Sequence, residues 1–288
     1  MKIFSVSIIL LSAVLISFTT KNTKKYKGPN SFVFIPSGTT NIDEKDISCQ
    51  AFYMSEHEVT NFEYRQFLEH LKENGKKKDF EKALPDTTVW NQLPGSFMEP
   101  MVEHYFSHPA YDNYPVVGIS REGVEMYCKY VTMEYRKIYG DQINDFRLPT
   151  REEWVYAAKG GFDQSPYPWG GPNLRNKKGC YLANYRPVGD QNIASDDDGN
   201  VYVVEKKGGH LYDDGAFFTA SVNSYEPNNY GLYNMSGNVA ELVAKEDVVM
   251  GGHWMSTGYD IRVTSHEEFK GPNPFTGFRL VQTYVGVE

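Results

Sequence analysis

Thiols are scarce in this chain. Three cysteines, Cys49, Cys128 and Cys180, stand among 288 residues. At least one is therefore free or pairs between chains, and a disulfide-scaffolded fold is excluded. A basic stripe is also missing: 29 Lys and Arg against 37 Asp and Glu leave a net charge of −8, which argues against direct nucleic-acid binding. No HExxH motif occurs, and His104 and His108 in HYFSH have no clear third ligand, so zinc is not indicated. Exact internal repeats and a clean inter-domain spacer are absent too.

Aromatic residues are plentiful, with 21 Tyr and 17 Phe beside 25 Gly and 15 Pro. That mixture favours irregular loops pinned by ring packing. With 40% hydrophobic and 23% charged residues, the chain reads as an ordered globule with a substantial core.

One long hydrophobic run exists, MKIFSVSIILLSAVLISFTT at residues 1–20. A basic start at Lys2, an apolar stretch from Ile8 to Phe18 and small polar residues before KNTKK fit an export signal. The absence of an A-x-A site leaves an uncleaved membrane anchor as the alternative. Residues 21–30 then form a linker and 31–288 the folded domain, exported to the periplasm or held at the envelope. Cys49 lies too far downstream of the leader to carry a lipid.

Within 31–288, SFVFIPSGTTNI predicts short strands broken at Pro36 and Gly38. EVTNFEYRQFLEHL changes to a three-to-four spacing, with Thr60 and Glu63 at capping-box distance, and predicts a helix. Residues 74–115, polar, aromatic and proline-punctuated, suggest a long surface excursion with room for short helices. A second helix is expected after Ser120, with Cys128 on its packed face, and a third after Thr150, where Glu153 completes another capping box. VYVVE and GFRLVQTY suggest later strands. The fold class expected is α+β, one loop-rich unit.

Two oxygen-rich sets suit a hard cation such as calcium. The first is Asn184 and Asp214 with backbone oxygens near Tyr185 and Ala216; the second is Asn234 and Glu241 with the carbonyls of Gly237 and Val239. Ordinary Asx and glycine turns explain the same residues. DDDGN at 196–200 is not an EF-hand, because Val201 and Lys207 stand where glycine and glutamate would be needed. A further segment, MGGHWMSTGYDIRV, offers His253, Trp254, Ser256, Tyr259, Asp260 and Arg262 as groove contacts. For His253 the choice is between ligand or proton chemistry and packing on an aromatic ring. Arg262 pairs with a partner's carboxylate or with an internal one.

Taken in order, EVTNFEYRQFL, FRLPTREEWVYAAKGG, YPWGG, DDGAFFTA, NNYGLYNMSGNVAEL, MGGHW and GFRL resemble the formylglycine-generating enzyme, or sulfatase-modifying factor, superfamily across about residues 31–284. The resemblance implies a compact fold related to C-type lectins and turns both oxygen-rich sets into family calcium sites. Tyr185, Ala216, Gly237 and Val239 would contribute backbone oxygen. Ala216 replaces a bulkier residue, which leaves its carbonyl available. Active family members resemble copper-dependent oxidases that use two groove cysteines to convert a substrate cysteine to formylglycine. Here the first aligns with Ser256 and the second falls near Asp260 or Ile261, so the thiolates that suit Cu(I) are missing and copper is not expected.

The resemblance thus implies a non-catalytic relative. Members lacking the cysteine pair resemble proteins of bacterial envelope machinery, including gliding motility and associated secretion systems. An accessory or structural protein that binds envelope proteins is the expectation. A peptide- or carbohydrate-binding protein, or an enzyme with non-copper chemistry, are the alternatives.

Overall fold

A computed structural model describes residues 26–93, 98–187, 193–195, 201–203, 216–245, 247–284 and 286. Asp214 and the DDDGN segment lie outside the described residues. Among those described, no helix is long and apolar enough to cross a membrane.

Strand β1 (Phe32–Ile35) pairs with β4 (Phe52–Ser55), which pairs with β12 (Val281–Thr283), which pairs with β5 (Phe146–Arg147), all antiparallel. The last strand in sequence therefore lies inside this sheet and ties together segments that begin and divide the chain. A second sheet runs β10 (His266–Glu268), β9 (Val248–Met250), β8 (Ala240–Leu242) and β11 (Thr276–Gly277), with β11 parallel to β8. Two hairpins complete the strands: β2 (Gly38–Ile42) with β3 (Lys45–Cys49), and β6 (Ile193–Ser195) with β7 (Val201–Val203).

The helix starts follow local capping chemistry. Helix α1 (Asn61–Glu73) begins at Thr60, whose side chain accepts from the Glu63 N–H while the Glu63 carboxylate accepts from the Thr60 N–H. Helix α5 (Arg151–Lys159) repeats this box with Thr150 and Glu153. Helix α4 (Arg121–Tyr139) is capped by Ser120 through the Gly123 N–H. Each box satisfies two otherwise orphaned donors, which is why these boundaries are sharp.

Helices α1 and α4 close one core with Tyr64, Phe67, Tyr127 and Cys128 against Phe146 and Phe278. Helix α5 is buried nearly all round; Trp154 to Ala158 pack on Ile35, Phe52, Met54 and Val281. The excursion at 74–115 carries the short helices it had room for but is pinned by a buried core, which a surface segment does not imply. Helices α2 (Lys77–Ala83) and α3 (Glu99–His104) alternate with 3-10 turns at 87–92 and 109–111. Val89, Trp90, Met98 and Tyr105 form a third core with Val239 and Trp254. Proline and polar residues hid those apolar anchors, which are widely spaced and have no regular period.

His104 ends α3, whereas His108 caps the following turn by accepting from the Ala110 N–H. Their rings meet edge to face at 6.0 Å, and because the helix ends at His104 the two do not share one helical face.

Candidate functional site

Buried polar chemistry concentrates where the loops holding the two oxygen-rich sets meet. Asn238 joins them. Its N–H donates to the Asn184 carbonyl at 2.8 Å, and its Oδ1 accepts from the Ala220 N–H and from Asn184 Nδ2 at 2.7 and 3.2 Å. Its Nδ2 donates to Glu58 Oε1 at 2.8 Å. Asn184 Nδ2 also donates to the Phe218 carbonyl at 2.8 Å, which brings the segment after Ala216 against Asn184 and Tyr185. Gly237 permits this approach: its φ is +76°, and a Cβ there would collide with the Asn184 carbonyl oxygen.

In the second set, Asn234 donates to Glu58 Oε2 and to the Val222 carbonyl, yet its Oδ1 is buried without a hydrogen-bond partner, as is Ser236 Oγ. A buried acceptor of that kind is costly unless water or a cation satisfies it. Asn234 Oδ1 is therefore the donor atom that best fits a hard cation. Glu241 is more committed. Its carboxylate accepts from Arg279 Nε and Nη2, both at 2.6 Å, and from Trp154 Nε1 at 2.8 Å. Both charged partners are fully buried. Oε1 takes one of these bonds and so keeps acceptor capacity. Glu58, buried beside the pair, has its carboxyl pushed up to about 7, by burial first, with Arg279 opposing and Glu241 adding. Among the described residues, no cluster of three or more His, Cys, Asp and Glu side chains forms a metal site. A cation here would rest on amide and carbonyl oxygens with Glu241.

The MGGHW segment is a tight turn. Gly252, at φ +65°, passes against the Asp260 carbonyl, where a Cβ would intrude. The His253 N–H donates to Ser256 Oγ at 3.0 Å and the Ser256 N–H returns to the His253 carbonyl at 2.8 Å. Ser256 is buried, and its carbonyl accepts from the Arg186 N–H at 2.9 Å. His253 stacks on Phe275 with ring centroids 4.3 Å apart, as the packing alternative held. Its Nδ1 accepts from the Met255 N–H at 3.1 Å, which places the proton of the neutral ring on Nε2. Burial, reinforced by Arg186 and opposed by Asp260, pushes the imidazole down to about 4.

The remaining groove candidates separate. Trp254 is only 3% exposed, with Nε1 bonded to the Pro274 carbonyl; it is a core anchor, not a contact surface. Asp260 Oδ2 accepts from Thr257 Oγ1 at 2.6 Å. Arg262 pairs with no carboxylate among the described residues. Its guanidinium lies 3.4 Å from the Tyr259 ring centroid and its Nε donates to the Tyr259 carbonyl. Tyr259 itself is 68% exposed. It lines a cavity of about 780 Å³ with Tyr167, Leu174, Lys177, Tyr185 and Thr257.

No position aligned with a copper-binding cysteine offers a thiolate: Ser256 closes a turn, and of the two residues near the second position Asp260 accepts from Thr257 Oγ1 and Ile261 is fully buried. Cys49 packs near α5, with Sγ 3.9 Å from the Glu152 carbonyl; Cys128 lies in the α1/α4 core; Cys180 is exposed. The residues present do not fit copper. Sequence reasoning missed Glu58, Arg279 and Arg186. The first two lie in the EVTN and GFRL phrases, which carried family likeness but no visible pairing.

Comparison with known proteins agrees with this architecture. A family model described as a sulfatase-modifying factor enzyme 1-like domain matches residues 17–284. The formylglycine-generating enzyme of Thermomonospora curvata is 31% identical over 162 residues, covering 56% of this chain and 43% of that protein. The inactive C-alpha-formylglycine-generating enzyme 2 of Mus musculus is 25% identical over 237 residues, covering 76% and 64%. The chain thus spans less than two thirds of these relatives' length. The structure of PvdO from Pseudomonas aeruginosa superposes with a TM-score of 0.57 at 19% identity, covering 88% of this chain and 94% of that one, a likeness of fold.

Proposed function

Because the chain belongs to the sulfatase-modifying factor family, we propose that it is a non-catalytic member: an exported envelope protein that binds partner polypeptides in an assembly such as gliding or secretion machinery. The observation carrying this reading is the lack of a soft donor pair, with the turn-closing Ser256 hydroxyl at the first aligned position and Asp260 or the core Ile261 near the second. The cavity beside Tyr259 remains, walled by aromatic rings suited to peptide contacts. The apolar segment at residues 1–20 supports export or anchoring.

Calcium belongs to this proposal. Asn234 Oδ1, the carbonyls of Gly237 and Val239, and Glu241 would hold one ion; Asn184, Tyr185, Asp214 and Ala216 would hold another. When bound, calcium supplies a charge that satisfies buried oxygens and fixes loops distant in sequence. The chain's own part is to preorganise the groove, so that a partner does not bear the ordering cost.

The test is recovery of native full-length protein from the envelope fraction, comparing wild type with Tyr259→Ala and Arg262→Glu. An envelope protein retained by wild type and lost by both variants, at unchanged Tm, is the expected result. Copper-dependent, oxygen-consuming conversion of a peptide cysteine by the purified protein would overturn the reading. So would partner recovery indifferent to both substitutions.

A further inference from the structure

Arg186 stands out from the other groove residues because its side chain has no partner among the described residues. Its Nε is buried without a hydrogen-bond acceptor, and the guanidinium makes no ion pair among the described residues. Leaving a guanidinium partly desolvated and unpaired costs free energy that a ligand could return. Two other donors lie close by. The backbone bond from Arg186 to Ser256 fixes those residues side by side, and the His253–Ser256 turn adds the imidazole. His253 Nδ1 is already an acceptor, so Nε2–H is the free end of the ring, and it meets no acceptor among the described residues. Ser256 Oγ accepts from the His253 N–H, which leaves its own hydrogen to donate. The chain neighbours of this pair, Tyr185 and Thr257, line the tyrosine-walled cavity.

Resting on the reading of that groove as a polypeptide-binding site, we infer that Arg186, His253 and Ser256 form a carboxylate-binding subsite beside it, which takes an acidic side chain or a C-terminal carboxylate. The charge balance selects a single negative charge. The Arg186 guanidinium and the Asp260 carboxylate both lie near enough to the His253 imidazole to act on it electrostatically; Asp260 is bonded to Thr257, while Arg262 is committed to Tyr259. A dianionic phosphate would bring more negative charge than this set balances. A planar carboxylate matches the guanidinium fork.

Binding to the full-length protein is followed by NMR at the His253 Nε2–H with four probes: N-acetyl-phenylalanine, its amide, N-acetyl-phenylalanyl-aspartate amide and inorganic phosphate. The expected result is saturable binding of at least one acid, tenfold or more tighter than the amide, with the Nε2–H resonance moved downfield. The tighter acid identifies the source of the carboxylate. Arg186→Gln, which removes no intramolecular hydrogen bond of the side chain and should keep its Tm, abolishes the preference; Asp260→Asn enhances it.

Equal binding of acids and amide overturns the subsite but leaves the groove. Tighter binding of inorganic phosphate than of either acid overturns the carboxylate assignment. No binding of any probe to folded protein overturns the inference, and partner recovery sensitive to Tyr259→Ala would then show the groove reading standing without it.

Discussion

Acid titration of stability tests how His253 is held. The folded imidazole is pushed down to about 4, whereas the same group in the unfolded chain titrates near its ordinary value of about 6.5. Between those values the unfolded chain binds a proton that the folded one refuses, so stability increases with pH across the window. The contribution is fully present above about 6.5 and is lost as pH falls toward 4. A gap of about 2.5 pH units at about 1.4 kcal/mol per unit corresponds to about 3 kcal/mol. The comparison protein is His253→Asn, which does not titrate and whose amide oxygen can still accept from the Met255 N–H. It forfeits the stacking on Phe275, which costs about 1 kcal/mol independent of pH. Urea unfolding of both proteins at pH 7.5, 5.5 and 4.0 should therefore show the variant less stable at neutral pH and more stable at pH 4.0. Parallel profiles with a constant offset would refute the argument that burial holds this ring neutral.

Glu241→Gln should destabilise by about 3–5 kcal/mol in urea unfolding, because it strips a fully buried guanidinium of its bidentate counter-charge; a variant as stable as wild type contradicts that role. Gly237→Ala places a Cβ at φ +76° and into the Asn184 carbonyl, so thermal unfolding should show a loss above about 1 kcal/mol. Chelation should lower the Tm of calcium-loaded protein by the equivalent of about 2.7 kcal/mol when the ion had been at a hundred times its Kd. In Asn234→Ala that response should shrink, and an equal response would remove Asn234 from the ligand set.

Much of the fold was legible before any coordinates. Thr60 with Glu63 and Thr150 with Glu153 marked two helix starts, because capping joins atoms three residues apart and needs no tertiary partner. The groove segment was legible as a place but not as a set of roles. Trp254 and Tyr259 look alike in sequence, yet one is core and the other surface. Nothing local marks Arg186 as lacking an acid among the described residues, since that depends on where residues distant in sequence fall.

The order of apolar, turn and capping residues determined by itself an α+β unit, the ordered phrases from EVTNFEYRQFL to GFRL carried the likeness to its family, and residue identity alone left the aligned positions without thiolates. Those are properties of residue identity and short-range geometry. Tertiary structure alone decided that Glu58, Asn238, Arg279 and Glu241 share one buried polar network, although Glu58 and Asn238 are 180 residues apart. It alone decided that Ser256 lies between His253 and an arginine with no ion pair among the described residues. Burial and charge pairing depend on what the rest of the chain brings within a few ångströms, and spacing along the sequence carries no record of that.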